Sequence, residues 1–142
     1  TELRTGPWSA LAQAAREVRT SVFVQEQGIA QEDEWDAADA EALHAVVHNR
    51  LGQAVATGRL LPSDGGVAKV GRMAVHRVLR GTGVGRQVLT ALVEAARARG
   101  DRAVRLSAQR TAEAFYARMG FQVVGTPYDE VGIPHQKMVL TL

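Results

Sequence analysis

The chain has no cysteine and few aromatic residues, its apolar runs are short, and its two signs of charge nearly cancel. The first absence excludes disulfides, thiolate metal sites, iron–sulfur clusters and cysteine nucleophiles. Apolar runs of a few residues fall far short of the ~20 that a membrane helix requires, and no basic segment followed by an apolar one opens the sequence. The expectation is a soluble, cytoplasmic protein without a membrane partner. Seventeen Lys+Arg against 15 Asp+Glu leave a formal charge of +2, which argues for no nucleic-acid partner. His44 and His48, spaced i, i+4 on a predicted strand, share a face too far apart for an easy chelate, and no metal site is expected.

What is present suffices for a core. At 142 residues and 46% hydrophobic content, one domain spanning 1–142 can bury about two-thirds of its unfolded surface, and no repeat or linker divides it. Charge is unevenly spread: only Lys69 and Lys137 are lysines, arginines gather from Arg72 to Arg118, and the charged residues from Glu26 to Glu41 are all acidic. The stretch Glu32, Asp33, Glu34, Asp36 and Asp39, with Trp35 inside it, reads as the solvated rim of a surface loop; attraction of a cationic amine is the alternative.

Ser9 can cap a helix carrying Leu11, Ala14, Ala15, Val18 and Val22 at helical spacing, broken near Thr20 and Ser21 and ended by Gly28. "HAVVH", "QAVATGRLL" and "VAKVGRMAV" are β-compatible runs divided by turn chemistry, which predicts antiparallel strands. The clearest helix follows, with Val84, Val88, Leu89, Leu92, Val93 and Ala96 on one stripe and Gly100 after it. "RAVRLSA" reads as a strand, Thr111 as the cap of a helix through Met119 closed by Gly120 and Phe121, and "FQVV" and "QKMVLTL" as final strands, giving an α+β fold.

Between strand and helix lies "RGTGVG", Arg80 to Gly85. Glycine loses the most backbone freedom on folding, so three in six residues need a reason. A loop of this kind at a helix N-terminus offers unpaired N–H groups and the positive end of the dipole to an anion. No Gly-Lys-Ser/Thr ends it, so it is not a Walker loop, and Arg86 stands where a dinucleotide fingerprint needs its third glycine.

Arg80, Gly83 and Gly85 fit Arg/Gln-x-x-Gly-x-Gly/Ala, and with the preceding "GRMAV", the helix behind and "AFYARMGF" about thirty residues on, the chain resembles the GNAT superfamily of N-acetyltransferases. "VRTSVFVQEQG", "DEWDAADAEALHAV" and "VGIPHQKM" are similar to its ElaA-like branch. The resemblance implies a mixed, mostly antiparallel sheet with helices on both faces, splayed at an acetyl-CoA site, and transfer of an acetyl group to a primary amine of a small molecule or peptide. It further implies contacts to acetyl-CoA from Met73, Ala74, Val75, Arg80, Gly81, Thr82, Gly83, Val84, Gly85, Arg86, Gln109 and Tyr116. Gln109 departs from the asparagine common at its place. Tyr116 is the implied acid for the departing thiolate and the Val75 N–H the implied polariser of the carbonyl. A base near neutrality could be His44, His48, His76 or His135, a carboxylate such as Glu26 with its pKa raised by burial, or a chain of waters, and of these Glu26 and His135 fall in the stretches similar to the ElaA-like branch. The alternative is a non-catalytic acyl-CoA sensor of the same fold, and a homodimer through exposed strands is a further implication.

Overall fold

A computed structural model describes residues 1–142. Seven strands form one sheet in the order β1-β2-β3-β4-β5-β7-β6. They are β1 (Glu2–Pro7), β2 (Leu43–His48), β3 (Ala54–Leu60), β4 (Val67–Val75), β5 (Ala103–Gln109), β6 (Gln122–Glu130) and β7 (Ile133–Thr141). Every adjacent pair is antiparallel except β4 and β5.

Helices α1 (Trp8–Arg19), α2 (Gln31–Glu34), α3 (Val84–Ala98) and α4 (Glu113–Arg118) complete the fold. The six apolar residues of the α3 stripe are all buried. They join β2–β5, Tyr116 and Phe121 in the main core of 19 buried residues. The opposite face is covered by α1 and smaller clusters around Val18, Val22, Phe23 and Ala74, and around Leu11, Ala15 and Val46.

Both α3 and α4 end as their glycines predict. In α3, Gly100 N–H bonds Arg97 and Asp101 N–H bonds Ala96; in α4, Gly120 bonds Ala117 and Phe121 bonds Tyr116, paired bonds that satisfy the last carbonyls. The helix starts differ from expectation. Extended Pro7 passes β1 directly into α1 at Trp8, so Ser9 lies inside the first turn and caps nothing. Thr111 sits in a 3₁₀ turn, Arg110–Ala112, and α4 starts at Glu113 without a side-chain cap. The break at Thr20 is a π-helical turn over Thr20–Glu26.

Strand β4 is irregular in two ways. Thr57 pairs with Ala74 and Arg59 with Gly71, so β4 carries one extra residue at Arg72–Met73 opposite Gly58, a bulge in which Arg72 takes φ +50°. A side chain at Gly58 would collide with Met73 Sδ at 2.5 Å and Val88 Cγ1 at 2.9 Å, so the bulge and α3 approach each other only because this residue is glycine. Further, β4 pairs with β5 only through Val67, Ala68 and Lys69. From Val70 onward the parallel neighbours part.

Candidate active site

The parting of β4 and β5 opens a cleft of about 1120 Å³, walled by the π-helical turn and α2 on one side and by the α3 N-terminus and α4 on the other. The expected residues Met73, Ala74, Val75, Arg80, Gly81, Gly83, Gly85, Arg86, Gln109 and Tyr116 line it, as do Glu26 and His135. Thr82 and Val84 do not: the Thr82 hydroxyl donates to Leu79 O at 2.5 Å, and Val84 is buried in the main core.

At the α3 end, Gly83 has φ +92° and caps the helix with no side chain, and the first intrahelical bond runs from Gln87 N–H to Gly83 O. The N–H groups of Val84, Gly85 and Arg86 therefore lack helical partners. A Cβ at Gly81 or Gly83 would meet nothing within 4 Å, whereas one at Gly85 would press on Val75 Cγ2 at 3.1 Å. The first two glycines serve backbone conformation; the third serves close packing of helix on strand.

Along β4, His76 N–H donates to Val55 O at 2.8 Å. Because an antiparallel ladder alternates, the backbone of Val75 faces away from β3, into the cleft, and that of Ala74 faces β3. Ala74 thus offers the cleft a side chain rather than free amide groups, a correction to the expectation that all three residues present their backbone. The Val75 carbonyl accepts from Arg80 Nε at 3.2 Å.

Arg80 is held on its other side by Glu26, whose two oxygens accept from Nη1 and Nη2 at 2.6 and 2.7 Å. This fork holds the Glu26 carboxyl below its ordinary pKa, outweighing the opposing effect of burial. The expected rise is overturned, because Glu26 meets a guanidinium and not an apolar pocket. His135 is buried, and its Nδ1 lies 2.7 Å from Ile133 O. A carbonyl only accepts, so in the neutral ring Nδ1 carries the proton and Nε2 the lone pair, 3.5 Å from Glu130. Tyr116 is buried against Phe115 and Phe121, and burial pushes its phenol well above the ordinary value. Gln109 exchanges amide bonds with Gln27 at 3.1 and 2.9 Å, tying β5 to the π-helical turn.

The acidic stretch is a solvated rim only in part: Glu32, Asp33 and Trp35 are exposed, whereas the other acids turn to arginines. Glu34 and Asp39 are buried, and they meet the buried Arg19 and Arg59. Asp39 accepts from Arg19 Nη1 and Nη2 at 2.8 and 3.0 Å and from Arg59 Nη1 at 2.9 Å, while Glu34 bonds Arg19 Nε. Asp36 accepts both terminal nitrogens of Arg59, at 2.6 and 2.9 Å, and Arg72 Nη2 at 3.2 Å. The bonds from Arg59 bring Asp36 down to about 2. Burial pushes Asp39 up, but the two guanidiniums outweigh it and the net shift is downward. Arg72, which the sequence did not single out, reaches this cluster because the bulge redirects it. The signal for it was present only as a glycine, Gly71, interrupting a strand pattern just before it.

This geometry, a strand edge freed beside an uncapped, glycine-rich helix start, coincides with a match to the acetyltransferase (GNAT) domain family over residues 11–142. The chain belongs to the GNAT family. It is similar to the uncharacterized N-acetyltransferase YjcF of Bacillus subtilis, 36% identical over 123 residues, 86% of each chain. Among solved structures it is similar to Escherichia coli ElaA, at TM-score 0.86 and 30% identity over 98% of both chains. An acyl-CoA N-acyltransferase from Pseudomonas aeruginosa matches at TM-score 0.85 and 33% identity over 99% of both. The GNAT co-substrate is acetyl-CoA or another acyl-CoA, and the open glycines, free N–H groups and free β4 edge fit such a molecule.

Proposed function

We propose that residues 1–142 form one N-acyltransferase domain that moves the acetyl group of acetyl-CoA to a primary amine of a small molecule or peptide by direct attack on the thioester. The observation that carries this reading is the juxtaposition, in one cleft, of the outward-facing Val75 amide, the uncapped start of α3 and the buried Tyr116 hydroxyl.

Acetyl-CoA supplies an activated acyl group; the chain supplies position and protons. The N–H groups of Gly83 to Arg86 and the charges of Arg80 and Arg86 suit the pyrophosphate. The outward backbone of Met73 and Val75 suits the pantetheine amides, as an added strand would. The Val75 N–H polarises the thioester carbonyl as negative charge develops on its oxygen. Tyr116, whose phenol is protonated at neutral pH as any tyrosine's is, donates to the departing thiolate. With Glu26 committed to Arg80, the Nε2 lone pair of His135 is the better base for the amine proton. Gln109 holds the two walls together through Gln27.

Thermal unfolding with added ligands tests the reading. Binding to the native state alone raises the midpoint, so acetyl-CoA and CoA at millimolar concentration should raise it by several degrees and adenosine should not. No rise with either would sink the proposal. A rise without acetyl transfer to any amine would favour a non-catalytic acyl-CoA sensor.

A further inference from the structure

Most carboxylates lining the cleft are committed: Glu26 to Arg80, and Glu34 and Asp36 to Arg19, Arg59 and Arg72. Three lining cations, Lys69, Arg86 and Arg118, have no carboxylate within 4 Å. Arg86 belongs to the first turn of α3, at the phosphate end. Lys69 stands at the opposite limit, the last β4 residue paired to β5, with Arg105 as its partner.

Its neighbour Val70 is buried in the core beneath α3, so strand alternation turns Lys69 to the other face, where the arginine–carboxylate cluster lies. The side chain is half-buried, and burial, then the nearby cations Arg105, Arg59 and Arg72, lower its pKa. Glu130, the acidic group that acts on it from β6, lies 3.5 Å from His135 instead. A half-buried ammonium with no carboxylate within 4 Å, beside Arg59 and Arg72, whose own carboxylates are already engaged, is unfavourable, and an anionic ligand would relieve it. Phosphate groups at the α3 N-terminus cannot be that anion, because six residues of strand, about 20 Å, separate Lys69 from Val75.

We propose that the acceptor amine carries a carboxylate, which Lys69 binds, leaving the amino group toward the middle of the cleft. The substrate class is an amino acid, or a peptide whose free carboxylate lies close to its reacting amine. This rests on the acyltransferase reading. Of the other two uncommitted cations, Arg86 lies at the start of α3 and Arg118 at the end of α4, so Lys69 alone stands at the β4–β5 seam.

The test measures release of the CoA thiol with free amino acids and dipeptides, each beside its carboxamide, and with spermidine. Carboxylates should exceed their amides by roughly tenfold in kcat/KM, the worth of one charged hydrogen bond. Lys69→Met should raise KM for the carboxylate by about the same factor, with kcat and the amide kinetics unchanged, and Lys69→Arg should restore it. A readout independent of turnover uses the two lysines: with CoA bound, glycine should shift the NMR signal of an isotopically methylated Lys69 but not of Lys137, and glycinamide should shift neither. Amides or spermidine used as well as carboxylates would overturn the proposal, as would an unchanged KM in Lys69→Met. So would a panel giving neither turnover nor a Lys69 shift. In each case a midpoint rise with acetyl-CoA would leave acyl-CoA binding intact, whereas loss of that rise would remove the acyltransferase reading itself.

Discussion

Tyr116 shows how one atom separates binding from chemistry. Its ring packs between Phe115 and Phe121, a purely apolar duty that phenylalanine performs equally well. Only the hydroxyl is available for proton transfer. Tyr116→Phe should therefore keep the midpoint rise with acetyl-CoA and lose turnover by a factor on the order of 10²–10⁴, the range for a positioned general acid. Turnover within about twofold of wild type, measured by thiol release, would remove Tyr116 from the proton path. The family's motif made this residue legible in the sequence. The state of Glu26 was not legible, since its partner Arg80 lies 54 positions away and only the fold brings the two together. Charge pairing at such separation reverses the direction of a pKa, and no local pattern announces it.

Among the elements, α3 was the most legible, because a six-residue apolar stripe with a glycine behind it admits few other structures. β1 was missed. Its residues, Glu2–Pro7, form an edge strand that is largely exposed, pairs only with β2 and contains glycine and proline, so it shows no alternation to read. Within Gln31 to Glu41, Glu34, Asp36 and Asp39 were misread for another reason: they look solvated until Arg19 from α1 and Arg59 from β3 arrive to meet them. Asp39 joins both arginines, so Asp39→Asn leaves buried positive charge uncompensated. It should cost roughly 3–5 kcal/mol in urea denaturation, whereas Glu2→Gln, whose partner Arg4 is exposed, should leave the denaturation midpoint unchanged.

At the scale of the whole molecule these buried groups set the response to acid. Burial lowers the His44 pKa from 6.5, and its Nε2 lies 2.9 Å from the Asp39 carbonyl. A group whose folded pKa is depressed supports the fold above its unfolded value, so stability should decline as pH falls below about 6.5. Asp36, lowered from 3.8 to about 2, adds a second decline as pH falls through that lower range. Denaturant midpoints at successive pH values check both limbs. His44→Gln should flatten the upper one and spare the lower, and an unchanged upper limb would assign it elsewhere. The α+β class was readable from the order of patterns, and the mixed sheet, the helices on both faces and the division of the sheet followed from the family resemblance. The bulge at Arg72 was not, because the room it needs is made by Gly58 on a neighbouring strand, where a side chain would meet Met73 and Val88.

The three residue pairs joining β4 to β5 have a mechanical meaning. They act as the short closed end of a zipper between two stiff panels, β1–β4 and β5–β7, with the open end left slack. A molecule laid along the free edge of β4 would work as a tie across that opening, so the same contact that holds the co-substrate would also carry load between the panels. Pulled apart at its ends, the protein should yield first along the line where it is built to hold something else.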